Sequence, residues 1–250
     1  GADGIRGDVI KYFHRRIDSG TGVIYPVDLA SGDEILLRTS PEEESPGHVE
    51  DPVVTKTKKI SSMDMEALSE AVSCCRRCAL SESRTNTVFG DGNPKARIVF
   101  VGEAPGRDED LQGVPFVGRA GKLLDKMLAA VGFSREDVYI ANLLKCRPPN
   151  NRDPLEEEVM ECEAYLERQI ELIDPIVICA LGRVAAQNLL KTRASLKAMR
   201  EGIHYYNDTR LIITYHPAAL LRNPNWKRPA WEDLKLLRKM YDEETGEAAD

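Results

Sequence analysis

Residues 97–110 read Arg97-Ile98-Val99-Phe100-Val101-Gly102-Glu103-Ala104-Pro105-Gly106-Arg107-Asp108-Glu109-Asp110. An unbroken apolar run closed by a glycine predicts a strand buried on both faces, followed at once by a tight loop. Three segments repeat the pattern: Val138-Tyr139-Ile140-Ala141-Asn142, Ile176-Val177-Ile178-Cys179-Ala180-Leu181 and Leu211-Ile212-Ile213-Thr214-Tyr215. Helical patterns lie between them. Leu123, Leu124, Met127, Leu128 and Val131 share one face, and Gly132 closes that helix. Residues 154–173 read as a long charged helix with Val159, Leu166, Ile170 and Ile173 inward, and a shorter helix follows Gly182. Strands alternating with helices predict an α/β fold, a parallel sheet covered on both faces. Sites in such sheets lie at the carboxyl ends of strands, which singles out Glu103, Asn142 and His216.

Outward from this centre, Met65, Leu68 and Val72 sit at helical spacing ahead of the first cysteines. Trp231, Leu234, Leu236, Leu237 and Tyr241 predict a closing helix after Pro229, and residues 242–250 read as a frayed acidic tail. The periodic domain therefore spans 63–241. Residues 1–62 form an extension of unknown role, with apolar patches and turn signals over 1–40. An acidic, proline-bearing linker follows at 41–51, then a small basic cluster of Lys56, Lys58 and Lys59.

The chain has 250 residues, 42% of them hydrophobic, which is enough for a real core. No run approaches the roughly 18 apolar residues of a membrane span, and no signal peptide opens the chain, which begins at Gly1. We therefore expect no membrane association and a place in the reducing cytosol. A net charge of −7 excludes a globally basic nucleic-acid coat but not a local basic groove.

Six cysteines are too sparse for a disulfide scaffold and point to metal ligands or core residues. Cys75 and Cys78 form a C-x-x-C pair, Cys146 follows the second strand, and Cys162 lies on the charged helix. Four such thiols can close a zinc or an iron–sulfur site. Structural zinc more often uses two close pairs, and here only one pair is close, which favours a cluster. Cys74 competes with Cys75 as a ligand, whereas Cys179 sits in an apolar strand as a small core residue.

The loop after the first strand lacks both the G-x-G-x-x-G spacing of dinucleotide sites and the Gly-Lys-Ser/Thr of a P-loop, yet its amides can face a ligand. Phe116 stands in Gly113-Val114-Pro115-Phe116-Val117-Gly118, where turn residues favour an exposed ring able to stack on a base. The fourth strand runs into His216-Pro217-Ala218-Ala219-Leu220-Leu221-Arg222-Asn223-Pro224. An apolar tip with a basic rim (Arg222, Lys227, Arg228) suits a wedge pushed into a nucleic-acid stack.

Together these motifs resemble the family 4 uracil-DNA glycosylases. The matching elements are Cys75-x-x-Cys78, GEAPGRDED, GVPFVGRAGKLLD, NLLKCRPPNNRDP, Cys162 and HPAALLRNP, in family order over roughly residues 63–241. The resemblance implies a three-layer α/β/α sandwich with a four-stranded parallel sheet. It implies a structural 4Fe–4S cluster on Cys75, Cys78, Cys146 and Cys162. It also implies a monomer acting on uracil-containing DNA, single- or double-stranded, by hydrolysing the glycosidic bond of deoxyuridine. An Arg-rich insertion carrying a nucleophilic His, found in a covalent relative, is missing after Lys145-Cys146-Arg147-Pro148-Pro149, which implies ordinary turnover.

By the same resemblance, Phe116 covers the uracil face and Asn142 reads its Watson–Crick edge. His216 donates to O2, and the Ala104 amide is a further donor. Glu103 positions water or stabilises the sugar cation, with Glu109, Asp110 and Asn150 as rivals. Leu220, Leu221 and Arg222 are the wedge candidates, and Lys145, Arg147 and Lys227 the phosphate-gripping cations. The competing readings are a non-catalytic nucleic-acid-binding relative within a repair or replication protein, and an iron–sulfur electron carrier.

Overall fold

The computed structural model describes residues 59–246. The expectations for residues 1–58, including the short strands and the linker, lie outside the described residues, as does the acidic tail at 247–250.

The sheet has six strands: β1 (Asp91–Gly92), β2 (Ile98–Gly102), β3 (Tyr139–Asn142), β4 (Val177–Leu181), β5 (His204–Tyr206) and β6 (Thr209–Thr214). Their order is β1-β3-β2-β4-β6-β5. The four strands expected from sequence form the parallel centre β3-β2-β4-β6, and antiparallel β1 and β5 extend it at the two edges. The expected four-stranded parallel sheet is thus a mixed sheet of six. The edges escaped notice because two or three residues are too few to display alternation. β5 and β6 form a hairpin around Asn207-Asp208, with Asn207 at φ 50° in the left-handed region that Asn tolerates.

Alternation within the strands sends side chains to two separate cores. Val99 and Val101 face Leu68 of α1 (Met65–Ser73), Leu166 and Ile170 of α5 (Glu156–Ile173) and Ala185 of α6 (Arg183–Leu189). Ile98 and Phe100 face Leu124 and Leu128 of α4 (Arg119–Ala130) and Leu234 and Leu237 of α9 (Lys227–Thr245). Helices on both faces of the sheet make the expected three layers. Short helices α2 (Leu80–Ser83), α3 (Arg107–Gln112), α7 (Leu196–Met199) and α8 (Pro217–Arg222) complete the described domain. Ile60 joins the first core, so the packed unit begins slightly before residue 63.

Three details of α9 differ from expectation. It starts at Lys227, with Pro229 in the first turn, where the missing N–H costs nothing. Its inward residues are Ala230, Leu234, Leu237 and Met240, while Trp231 and Leu236 are exposed, because a helical repeat through 234 and 237 turns them away. The helix also runs on through residues 242–245, part of the predicted frayed tail. Gly246 ends it at φ 71° with its N–H donating to Asp242 O, and Arg238–Asp242 and Arg210–Glu244 pair alongside. Among the described residues no helix is long and apolar enough to cross a membrane.

Candidate active site

The parallel strands end side by side. Gly102 and Asn142 are register partners at the last rung of β2–β3, and Leu181 and Thr214 pair at the end of β4–β6. Above these ends opens a cleft of about 1590 Å³, open mouth included, that gathers Glu103, Ala104, Phe116, Asn142 and His216. All five residues expected at the base and the sugar therefore line one space.

Asn142 is buried, and its Oδ1 has no hydrogen-bond partner among the described residues. A buried orphan acceptor is costly unless something else completes it. Gly102 makes room for this arrangement. A Cβ there would lie 2.3 Å from Asn142 Oδ1 and 2.7 Å from the Phe116 ring, closer than real Cβ atoms come.

Phe116 is only 5% exposed, so its ring is a wall of the cleft rather than the free platform its flanking residues suggested. The ring lies 5.5 Å from that of His216, tilted by 31°. Its φ of 53° is a strained conformation for a bulky residue, and three residues, Arg135, Glu109 and Gly121, allow the loop to hold it. Arg135 donates from Nη1 to Phe116 O at 3.0 Å and from Nη2 to Pro115 O at 2.6 Å, and is itself anchored on Asp125. Glu109 Oε1 accepts from the N–H groups of Val117 and Gly118, both at 3.0 Å, while its Oε2 accepts from Gly106 at 3.1 Å. Gly121 lets the loop come close, since a Cβ there would fall 1.7 Å from Phe116 O. Arg135 had no visible signal in the sequence, because it lies outside the loop motifs and acts on the backbone of other residues, whereas Gly121 lies within the quoted GVPFVGRAGKLLD stretch without its packing role being apparent. Asp110, another rival carboxylate, is buried and bonds the amides of Thr85 and Asn86.

Burial sets the protonation of the two titratable groups. Glu103 is pushed up to about 7, chiefly by desolvation, then by the nearby Asp153 charge, with Arg183 opposing. His216 is pushed down to about 4 by burial and then by Arg222, so it is neutral at neutral pH. Its Nδ1 accepts from the Ala218 N–H at 3.1 Å, capping α8, which leaves the proton of the neutral ring on Nε2. The Ala104 N–H donates to no protein group among the described residues.

At the lip of the cleft the wedge candidates separate. Leu220 is 1% exposed and belongs to the core beneath α8, so it is not available as a wedge, whereas Leu221 is 40% exposed and Arg222 is exposed beside it. Lys145 is also corrected. It is 1% exposed and donates from Nζ to Asn142 O at 2.9 Å and Gln169 Oε1 at 2.5 Å, so it reaches no phosphate. Arg147 stays partly exposed, with Nε on Asn151 Oδ1 at 2.7 Å. Asn150 is exposed, in a single 3-10 turn.

Cys75, Cys78, Cys146 and Cys162 line a second pocket of about 300 Å³, open mouth included. Among the described residues no three His, Cys, Asp or Glu side chains converge tightly enough for a single metal ion. Arg84 donates from Nη1 to Cys146 Sγ at 3.1 Å and from Nη2 to Cys75 O at 2.7 Å, and the Lys145 N–H donates to Cys162 Sγ at 3.2 Å. Donors aimed at sulfur are what thiolate ligands need. Cys74 is exposed and turns back onto Glu70 O at 3.3 Å, and Cys179 is buried in β4, so neither joins the set.

Comparison with known proteins gives a consistent picture. Residues 89–235 match the family model described as the Uracil DNA glycosylase superfamily. The chain is 51% identical over 187 residues to the type-4 uracil-DNA glycosylase of Archaeoglobus fulgidus, covering 70% of this chain and 94% of that protein. It is 46% identical to the type-4 enzyme of Sulfurisphaera tokodaii, over 70% of this chain and 84% of the relative. It is also 46% identical to the type-4 enzyme of Thermotoga maritima, over 72% of this chain and 96% of the relative.

The stapling of the Phe116 loop is testable directly. In Glu109→Ala, hydrogen exchange at the Val117 and Gly118 amides should accelerate about tenfold or more, because both lose their acceptor. Unchanged protection at these two amides would show that the carboxylate does not hold the loop.

Proposed function

Because the chain belongs to the type-4 uracil-DNA glycosylases, we propose that it hydrolyses the N-glycosidic bond of deoxyuridine in DNA, releasing uracil and leaving an abasic site. The observation that carries this reading is the orphan Oδ1 of buried Asn142, beside the Phe116 ring and within the cleft that also holds His216.

Uracil inside a duplex is unreachable, so the nucleotide must be turned out, at a cost of a few kcal/mol. Leu221 and Arg222 are the groups placed to fill the gap, with Lys227 and Arg228 exposed nearby for phosphates. In the cleft the Phe116 ring covers one face of the base. Asn142 Oδ1 accepts from N3–H and its Nδ2 donates to O4. Cytosine presents the opposite pattern at these positions and leaves both groups unpaired.

Bond cleavage moves the C1′–N1 electron pair onto uracil and leaves a sugar of oxocarbenium character. His216 donates from Nε2–H to O2 as negative charge grows there, and the Ala104 N–H is a second donor. The Glu103 carboxylate faces the cationic sugar and orients the water whose oxygen bonds to C1′. One water proton passes to Glu103 or solvent, and the uracil anion is protonated from solvent. Glu109, with both oxygens bonded to backbone amides, is a positioning group rather than the water-orienting carboxylate that was one alternative.

Cys75, Cys78, Cys146 and Cys162 would hold a 4Fe–4S cluster, with Arg84 and the Lys145 amide donating to their sulfurs. When bound it supplies a cross-link between α1, the segment after β3 and α5, not reaction chemistry.

The direct test is single-turnover uracil release from a labelled single-stranded oligonucleotide with one dU, followed by alkali. A cut strand with dU and none with dT is the expected result, and Asn142→Asp should lose about 100-fold or more in rate, since the donor to O4 is gone. An uncut dU strand with iron-loaded protein overturns the reading.

The protonation of Glu103 sets the pH profile. A carboxyl raised to about 7 is neutral below that pH and charged above it, so the rate should climb with pH up to about 7 and then level off. His216, at about 4, adds no limb near neutrality. In Glu103→Gln the rising limb should vanish and the plateau fall by about 100-fold. A profile unchanged by that substitution removes Glu103 from the mechanism.

The ligand set predicts opposite fates for neighbouring cysteines. Cys75→Ser protein should purify with reduced iron and sulfide and lower thermal stability, whereas Cys74→Ser should keep both. Equal iron in the two variants would reject the assignment.

A further inference from the structure

The cleft has two aromatic residues that the chemistry above does not use, Tyr215 and Trp226. Trp226 ends the 3-10 turn Pro224–Trp226 that links α8 to α9, lines the cleft, and is 39% exposed. It stacks on Tyr215 with ring centroids 5.0 Å apart and planes 18° from parallel. Tyr215 is fixed in turn by Arg200, whose guanidinium carbon lies 4.4 Å from its centroid and whose Nη1 bonds its hydroxyl at 3.2 Å. Arg200 is immobilised by both oxygens of Asp233, each at 2.8 Å, and by Pro229 O at 3.1 Å, and Thr214 donates to Asp233 at 2.7 Å. A large ring is thus held by a column rooted in the sheet, yet left partly open to solvent at the rim.

Such a ring contributes little to the core: Trp226 belongs to neither core cluster. Its surroundings are those of a nucleic-acid groove. Arg222, Lys227 and Arg228 are exposed close to it in the chain and form no ion pair among the described residues. Free cations grip phosphates and an aromatic face takes a base, which is how single strands are held. The wedge at Leu221 lies on the adjoining helix α8.

We propose that Trp226 is a stacking platform for a base next to the flipped uracil on the same strand, so that the enzyme holds uracil in single-stranded or locally opened DNA. The proposal rests on the glycosylase reading and extends it to the neighbouring nucleotide. Because Tyr215 and Arg200 fix the ring beforehand, little side-chain freedom is lost when a base settles on it. Stacking is indifferent to base identity, so the platform adds affinity without sequence preference.

Three measurements test it. First, Trp226→Ala should raise KM for a single-stranded dU oligonucleotide about 5- to 150-fold with kcat within about threefold of wild type, and Trp226→Phe should recover most of the loss. Second, replacing the base on one side of dU by an abasic spacer should raise KM for wild type but add nothing further for Trp226→Ala, the non-additivity expected when ring and base touch. Third, the chain has two tryptophans, so Trp231→Phe leaves Trp226 as the only indole, and its fluorescence should be quenched on saturation with a single-stranded oligonucleotide. Additive losses in the second experiment, or no quenching in the third, overturn the platform while leaving uracil release intact. Failure of the wild-type protein to release uracil sinks the glycosylase reading instead, and quenching still reports on stacking in that case.

Discussion

The last rung of the β2–β3 ladder is the constraint on which the rest depends. There Gly102 and Asn142 face each other, and the ladder continues past the strands, with Leu143 N–H on Gly102 O at 2.9 Å and Leu144 N–H on Glu103 O at 3.1 Å. That pairing fixes the carboxylate at the end of one strand and the amide at the end of the next. It works only with glycine, because the space a Cβ would need is taken by the amide oxygen and the aromatic ring. Backbone hydrogen bonding thus does the positioning, and the absence of one carbon atom makes the pocket.

The same stretch joins the base-reading amide to the cysteine cavity. Asn142 ends β3, and Lys145 and Cys146 follow within the next four residues. Lys145 is the link: its ammonium is buried without a carboxylate partner and is solvated by Asn142 O and Gln169 Oε1, while its own amide donates to Cys162. Gln169 is completed by Phe89 O and Tyr139 OH. Burial lowers the Lys145 amine to about 8. A buried amine satisfied by carbonyls ties strand to helix α5, and the cysteines of the loop after α1 close the same region from the other side. Rigidity at Asn142 follows, and rigidity is what base discrimination requires, since an amide free to flip reads uracil and cytosine alike.

What was legible in the sequence was what repeats or clusters. The parallel strands showed as apolar runs because both their faces are buried, and the cysteines by the C-x-x-C spacing; of the competing Cys74 and Cys75, Cys75 is the one that lines the cysteine pocket. The strand-end rule located Glu103, Asn142 and His216 correctly in one cleft. What stayed hidden depends on three-dimensional phase. Leu220 and Leu221 are adjacent in sequence, but the orientation of α8 buries one and exposes the other. Lys145 in a basic-looking motif reads as a surface cation until its burial is known. Glu109 and Glu103 are both carboxylates of one loop, and only the amides around Glu109 tell them apart. Arg135 and Trp226 carried no signal, since one acts on backbone carbonyls and the other is placed by a column of side chains from three separate segments.

The electrostatics of the cleft then follow from burial more than from pairing. Desolvation raises Glu103 and lowers His216, so each is moved toward its neutral form. An ion pair would have done the reverse, and would have fixed the carboxylate on the imidazole rather than leaving it to the sugar. The cap from Ala218 adds direction, because it commits the single imidazole proton to Nε2. The imidazole therefore meets the uncharged base without a charge of its own. The donors of the cleft gain strength only as the glycosidic bond opens and charge appears on both fragments, which is the condition for lowering the barrier rather than tightening the ground state.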